Sequence, residues 1–262
     1  MNSYIETMDR NQWMDVAKGI TIMLMIIGHS SIPDLLSRFV YSFHMPLFFI
    51  ASGWMTNWEN STIKDFILKK IKSLIIPFLI YSTFVLILFE LVRVKRINSF
   101  FIEGWQGYAL WFIPVLFISL LIVKLLNLVQ KERIKIVICF CLLFTGVFLR
   151  YYKISFLWSL NVVPYASLLI IIGSYLKRYQ TYIDSPKWSI LIFSYILVQT
   201  ISYFWKLDMA WNNIIPVIPL TIGAISGTVM MFTFSSFMVK SLPQLSLAFQ
   251  YIGRETFVIV AF

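Results

Sequence analysis

Long apolar stretches separated by short polar breaks run along the whole chain. A membrane-spanning helix needs roughly 20 mostly apolar residues, and most of these stretches come close to that length. They cover residues 13–31, 37–56, 73–92, 108–129, 134–150, 157–176, 188–206, 213–238 and 245–262. The pattern predicts an all-α, polytopic transmembrane helical bundle with about eight or nine spans.

The polar breaks are too short to hold a soluble domain. The longest cover residues 57–72 and 93–107, and the sequence shows no internal repeat or low-complexity tract. The first apolar run contains a lysine and is followed at once by further spans, which is unlike a cleavable signal peptide. Small residues at 51–53 and 223–227 predict places where helices approach closely. We therefore expect one membrane domain over residues 1–262.

Composition and charge support this interpretation and orient the chain. Hydrophobic residues make up 59% of the chain and charged residues 13%, against about 25% charged in soluble domains. With the N-terminus in the cytoplasm, the inner loops hold roughly twice as many Lys and Arg residues as the outer loops. We expect a multi-pass protein of the plasma (inner) membrane with a cytoplasmic N-terminus. The net charge of +10 is spread over short loops, which argues against nucleic-acid binding and suits anionic lipid or an anionic cofactor at the inner face.

The most costly residues of the first span are Lys18 and His29, because ionisable groups inside a membrane are expensive and usually functional. Eleven positions separate them, which is about three helical turns, so they share one helix face about 16 Å apart. Asp15 falls near the same face. The other histidine, His44, opens the next apolar run. Both histidines are therefore expected at similar depth in one helical hairpin.

These residues carry a resemblance to a known family. Asp15-Val-Ala-Lys-Gly-Ile20, Gly28-His29 and Phe43-His-Met-Pro-Leu-Phe-Phe-Ile-Ala-Ser-Gly53 resemble the opening of the acyltransferase-3 family of integral-membrane O-acyltransferases. In that family ten residues lie between a basic residue and a histidine, as they do between Lys18 and His29. Residues 69–77 and 110–114 are also similar to family segments, so the resemblance covers roughly the first 120 residues and continues beyond them only as a helix pattern. Lys18 stands where the family often has arginine.

The resemblance implies an enzyme that moves an acyl group, with acetyl the expected one, from cytoplasmic acyl-CoA to a hydroxyl of a cell-surface carbohydrate or its lipid-linked precursor. An imidazole at position 29 suits this chemistry as a general acid/base or as a covalent acyl carrier. His29 is the candidate catalytic residue. The candidate donor-binding residues are Lys18, Asp15, Lys69, Lys70 and Lys72; the candidates for acceptor binding or a second acid/base are His44 and Trp111.

Each candidate also has a structural alternative. Lys18 can extend to the headgroups or form a local pair with Asp15. The lysines at 69–72 can act only as topology signals, and His44 can be an interfacial structural residue. The last apolar run reaches Phe262 without a polar flank. Because the family typically has about ten helices, we expect a shortened member or a fragment of a longer protein.

Two other classes of protein remain open. In a transporter, Asp15, Lys18 and His29 would form a proton relay or a solute site, although neither repeats nor paired interrupted helices are visible. A sensor or partner-binding module would keep the scaffold without chemistry. Cys139 and Cys141 lie two positions apart on a predicted helix and suit neither a disulfide nor a metal site, so no metal cofactor is expected. The oligomeric state leaves no mark in the sequence.

Overall fold

The structure, a computed structural model, describes residues 12–59, 61–91 and 109–256, and these ranges are helical throughout apart from short connections. The helices are α1 Gln12–Gly28, α2 Asp34–Tyr41, α3 His44–Met55, α4 Ile63–Lys70, α5 Ile76–Leu91, α6 Phe112–Asn127, α7 Glu132–Tyr151, α8 Val163–Leu176, α9 Gln180–Asp184, α10 Trp188–Phe204, α11 Val217–Ser241 and α12 Pro243–Arg254. A π-helical segment, Ile71–Ile75, joins α4 to α5, and 3₁₀ turns at Ala109–Trp111, Leu157–Val162 and Lys177–Tyr179 flank α6 and α8. The predicted all-α class is confirmed.

Several helices are suited to a membrane. Asp34–Met55, Glu132–Tyr151, Leu157–Asp184 and Val217–Ser241 are each long and apolar enough to cross one, while Phe112–Asn127 and Trp188–Phe204 are shorter apolar helices. The predicted total of eight or nine spans and the cytoplasmic N-terminus remain predictions. The predicted segment at 93–107 and the end of the last run lie outside the described residues.

The predicted span at 37–56 is a pair of helices with a break between them. α2 ends at Tyr41 and α3 begins at His44. Pro46 lies in the first turn of α3, where its missing N–H costs nothing because no helical hydrogen bond is needed there. In a helix that continued from α2, the same proline would remove a hydrogen bond and clash with the preceding turn. The break leaves His44 at a helix start.

Glycines let four helices touch backbone to backbone. A methyl group added to Gly53 of α3 would overlap the carbonyl of Ile170 in α8, and one added to Gly173 of α8 would overlap the carbonyl of Ile50. Gly19 of α1 and Gly253 of α12 meet in the same manner. Close approach at small residues is a main source of helix association in lipid.

α7 has a different environment from these central helices. Its one buried residue is Gly146, and the rest of the helix is exposed or half-buried. It packs against α8. In a membrane most of α7 would face lipid.

We expect Gly53→Ala and Gly173→Ala each to lower stability by about 1–3 kcal/mol or more, because the added methyl overlaps backbone that cannot rotate away. Gly146→Ala is the matched control, since its added methyl would meet its nearest neighbour, the Ile214 side chain, at 3.5 Å. In the control, better helix propensity contributes up to about 1 kcal/mol in the stabilising direction. Thermal unfolding of the purified variants in detergent measures the difference. Equal midpoints for all three variants would contradict close packing at Gly53 and Gly173.

Candidate functional site

The two histidines lie together at one end of the bundle. His29 follows the last residue of α1, and His44 is the first residue of α3. Their ring centroids are 6.5 Å apart. The turn between them is tight because Gly28 leaves room for Val40, whose side chain would lie 3.2 Å from an added methyl group. The hairpin expected from the sequence therefore brings both imidazoles into one cluster.

Tyr41 completes this cluster. Its hydroxyl lies 3.3 Å from Nδ1 of His29, and its ring centroid is 4.7 Å from that of His44. Sequence reasoning missed Tyr41, although its position three residues before His44 placed it at the same helix break. We call His29, Tyr41 and His44 the histidine cluster.

The two imidazoles differ in access and in hydrogen bonding. Nδ1 of His44 lies 3.1 Å from the carbonyl oxygen of Val40, and because a carbonyl only accepts, Nδ1 must carry the proton. The His44 side chain is buried, with 4% of its surface exposed, whereas His29 is exposed. His29 is thus the imidazole that a substrate can reach, and His44 lies behind it.

A loop between α10 and α11 packs against the Tyr41 side of the histidine cluster. Nζ of Lys206 lies 4.3 Å from the centre of the Tyr41 ring and 3.3 Å from Oγ of Ser37. Asp208 and Asn213 close the loop through two backbone hydrogen bonds of 3.2 and 2.7 Å. The side chain of Asn213 is held at both ends, donating to the Lys206 carbonyl at 3.0 Å and accepting from Arg150 at 3.0 Å. No local sequence signal placed Lys206 and Asp208 beside residues from the first hairpin.

Burial raises the pKa of the Asp208 carboxyl. Backbone N–H groups of Trp211 and Ala210, the Lys206 ammonium and the nearby His29 act in the opposite direction without cancelling the effect of burial. The loop therefore presents a carboxyl group that gives up its proton less readily than an exposed one.

The predicted donor residues of α1 form an ion network at its other end. Nζ of Lys18 lies 2.7 Å from Asp15, whose side chain is 2% exposed. Arg254 of α12 approaches the other Asp15 oxygen at 3.6 Å. The sequence predicts the Asp15–Lys18 pair, whereas Arg254 comes from the far end of the chain and no local pattern connects it with Asp15.

The helix face between the two ends of α1 is tightly packed, mostly with apolar side chains. Ile22 and Met25 lie one and two turns beyond Lys18 on its way to His29, and they are 0% and 5% exposed. The ion network and the histidine cluster are therefore separated by packed core.

The other predicted donor lysines lie on a different group of helices. Lys69 and Lys70 end α4 and Lys72 is in the π-helical segment; both elements pack against α6, whereas α1 packs against α12, α11 and α3. Nζ of Lys70 lies 5.5 Å from the centre of the Phe66 ring, and burial, together with Lys69, lowers the pKa of Lys70. The structure does not bring these lysines to Lys18.

Lys124, on α6, is a buried lysine that the sequence analysis did not select as a candidate. It is 3% exposed and donates hydrogen bonds to the carbonyls of Trp58 and, at 2.9 Å, Ser61. Its Nζ also lies 5.5 Å from the Phe66 ring. Lys124 thus holds the connection before α4 in place.

Trp111 is buried rather than open to a ligand. Its side chain is 6% exposed and belongs to the main core. The next residue, Phe112, packs against Phe48 and Phe49 of α3. A sugar stacks on an exposed ring face, so an acceptor role for Trp111 would require that core to open; the predicted role stays a prediction.

The polar groups of the described residues suit organic acid/base chemistry. Among the described residues, no three His, Cys, Asp or Glu side chains form a metal-binding group. Cys139 and Cys141 are free thiols. The histidine cluster offers proton transfer, and the cations of α1 offer charge for an anionic group.

Comparison with known protein families identifies the family of this chain. A family model described as an acyltransferase domain matches residues 11–259. No curated protein and no solved structure matches the chain. The matched range includes the histidine cluster, the loop above it and the ion network of α1.

The raised pKa of Asp208 predicts a pH dependence of stability. The folded protein holds this proton more tightly than the unfolded chain, so the stabilisation is present below the ordinary carboxyl pKa and is lost as the pH rises through the raised pKa. Asp208→Asn stays uncharged and should flatten the fall in thermal midpoint across this acidic window. Asp34→Asn, which changes an exposed carboxylate, should keep the fall. Thermal unfolding over a series of acidic pH values checks both variants, and an unchanged slope in Asp208→Asn would contradict the assignment.

Proposed function

Because the chain belongs to the acyltransferase-3 family, we propose that this membrane acyltransferase moves an acyl group from cytoplasmic acyl-CoA to a hydroxyl of a cell-surface carbohydrate or its lipid-linked precursor. Acetyl is the proposed acyl group and acetyl-CoA the proposed donor. The observation that carries the proposal is the histidine cluster, in which an exposed imidazole is hydrogen-bonded to a tyrosine and backed by a buried imidazole.

The proposed reaction needs one group that accepts and then returns a proton. His29 takes the proton of the acceptor hydroxyl as its oxygen attacks the thioester carbonyl. The tetrahedral intermediate collapses by breaking the carbon–sulfur bond, and the imidazolium returns the proton to the departing thiolate. In the alternative route, a nitrogen of His29 attacks the thioester carbonyl and expels the thiolate; the acceptor hydroxyl then attacks the acyl-imidazolium, the carbon–nitrogen bond breaks, and the hydroxyl proton passes to the thiolate.

Tyr41 is proposed to set the state of His29. For Nε2 to act as the base, Nδ1 must carry the proton and donate it to the Tyr41 oxygen. The 3.3 Å separation allows that bond. Lys206, at 4.3 Å from the centre of the Tyr41 ring, makes a cation–π contact that helps to hold this ring beside His29. Tyr41 is thus a positioning residue in the proposal.

The donor is proposed to approach from the other end of α1. Lys18 offers an ammonium to a phosphate or pantetheine group while Asp15 fixes its direction. Asp15 keeps a second cation, Arg254, at 3.6 Å, so the carboxylate remains neutralised when Lys18 turns toward a ligand. Further phosphate contacts are proposed for Lys69 and Lys70 at the end of α4 and for Lys72 in the π-helical segment.

A proton-coupled transporter is less well supported by this arrangement. A relay between Lys18 and His29 needs polar groups or water along the whole shared face, but beyond Thr21 the buried side chains of Ile22 and Met25 occupy it. The assay that separates the classes uses purified protein, labelled acetyl-CoA and a glycan. Thioester consumption that depends on the glycan supports the enzyme; solute flux without acyl transfer supports the transporter.

His29→Ala is expected to lower glycan-dependent acyl transfer by about 10²–10⁴-fold, the usual cost of removing a positioned acid/base. His29→Gln should fall as far, because glutamine can hydrogen-bond to Tyr41 but cannot shuttle the proton. The rate of labelled acetyl transfer measures both variants at equal membrane expression. Near-normal turnover in either variant would overturn the mechanism, and loss of both from the membrane would assign His29 to the fold instead.

Lys18→Ala is expected mainly to raise the KM for acyl-CoA, as loss of uniform donor binding does. Lys18→Arg keeps the charge and the pair with Asp15, so it should retain substantial activity. Donor titrations at saturating acceptor distinguish the two effects. A collapsed kcat with unchanged donor KM in Lys18→Ala would remove the donor-binding role.

A further inference from the structure

A cavity lies beside the amino-terminal third of α7. That helix is anchored at Gly146, in its second half, where an added methyl group would meet Ile214 at 3.5 Å and Pro164 at 3.8 Å. Toward Glu132 its residues are exposed or half-buried. A space of about 560 Å³ opens there between α7, α6, α8 and the chain that follows α3.

The cavity is rich in cations. Lys135, Lys177 and Arg178 line it, against the carboxylates of Glu59 and Glu132. Lys135 already pairs with Glu132 at 2.8 Å. Within the described part of the chain, Lys177 and Arg178 have no carboxylate at ion-pair distance. Two cations are thus available to an anion from outside.

The Arg178 side chain is oriented by an aromatic ring. Its guanidinium carbon lies 4.9 Å from the centre of the Tyr175 ring, and Tyr175 itself lines the cavity. This cation–π contact holds the guanidinium near the cavity while its N–H groups stay able to donate. A planar guanidinium binds phosphate through two parallel hydrogen bonds.

Neutral polar groups complete the lining. Trp58 donates from its indole nitrogen to Ser174 at 2.9 Å, so both side chains are fixed. Asn57 accepts from the backbone of Glu59 at 3.3 Å, which leaves its amide nitrogen able to donate to a ligand. The cavity therefore offers the Asn57 amide as a neutral donor beside the two cations, on a wall that the bond between Trp58 and Ser174 holds in place.

The outer wall beside this polar space is strongly apolar. Ile136, Val137, Phe140 and Phe144 of α7 are 54–70% exposed. In a membrane they contact acyl chains. The positively charged lining of the cavity thus lies beside an apolar helix face that would contact lipid. Basic pockets between transmembrane helices bind anionic lipid headgroups.

We propose that this cavity binds an anionic phospholipid, with Lys177 and Arg178 on its phosphate and its acyl chains along Ile136 and Phe140. A phosphate from the nucleotide part of a donor is the competing source of the same chemistry. The lipid is favoured because the described lining contains no residue of α1 and because the α3–α8 contact at Gly53 closes the inner side. The proposal does not depend on the acyl-transfer reaction.

The first test measures lipid binding to the delipidated full chain in detergent by native mass spectrometry. Phosphatidylglycerol should bind about tenfold or more tightly than phosphatidylcholine with the same acyl chains, because each basic residue near a headgroup contributes appreciably. The double variant Lys177→Gln/Arg178→Gln should lose that preference. The matched control Lys131→Gln/Arg133→Gln removes the same charge from the start of α7, outside the cavity, and should keep it.

Three outcomes of this test would overturn the proposal. The first is equal binding of the two lipids by the unaltered chain. The second is an equal loss in both double variants, which would assign the effect to general surface charge. The third is displacement of bound phosphatidylglycerol by added coenzyme A, which would assign the cavity to a nucleotide phosphate.

A second test leaves every basic residue in place. Cys139 lines the cavity and Cys141 does not. In the Cys141→Ser chain, phosphatidylglycerol should slow alkylation of Cys139 by N-ethylmaleimide severalfold relative to phosphatidylcholine. In the Cys139→Ser chain, the rate at Cys141 should be the same with both lipids. Equal rates at Cys139 with the two lipids would contradict a lipid in this cavity, whatever the fate of the charge variants.

Discussion

Contact between helix backbones at glycine is the constraint on which the arrangement depends. In lipid, apolar side chains gain little by leaving their surroundings, so helices associate where close packing and hydrogen bonds are possible. Gly53 and Gly173 bring α3 onto α8, and Gly19 and Gly253 bring α1 onto α12. α1 and α3 also carry the two histidines at their other ends. The histidine end is held by side chains instead, including Val40 against Gly28 and Phe43 against Gly227, which leaves the exposed imidazole of His29 at the edge of the bundle.

Charged side chains in the core have partners within the protein, whereas two exposed cations at the rim have no carboxylate partner among the described residues. Asp15 is buried and has two cations, and the buried Lys124 has two carbonyl partners and an aromatic ring. A buried ion without such partners would cost several kcal/mol. Lys177 and Arg178 are exposed and unpaired among the described residues, so ligand binding there would not first have to break an ion pair. The buried charges of Asp15 and Lys124 are therefore compensated within the protein, whereas Lys177 and Arg178 stay available to an external anion.

The sequence predicted features whose cause is local, and it missed those that the fold brings together. Apolar length predicted helices, and three-residue spacing predicted the Asp15–Lys18 pair. Small residues at 51–53 predicted a close approach that Gly53 makes. Arg254, Lys206 and Asp208 could not be found this way, because each meets the first hairpin from more than 150 positions away. Trp111 was selected as a possible sugar contact because tryptophans near span ends often face the interface; packing against α3 buries that region instead.

The histidine cluster and the ion network lie at opposite ends of α1, so a donor bound at one end must bring its acyl group to the other. If the donor enters beside Lys18 and the acceptor meets His29, the acyl group must pass the buried face occupied by Ile22 and Met25. A β-branched isoleucine has one strongly preferred side-chain rotamer in a helix, so it yields little space without moving the backbone. Methionine is unbranched and flexible, with three rotatable side-chain bonds, and Met25 is the closer of the two to His29. Met25 is therefore the side chain on this face that can adapt beside His29, whereas Ile22 keeps α1 packed.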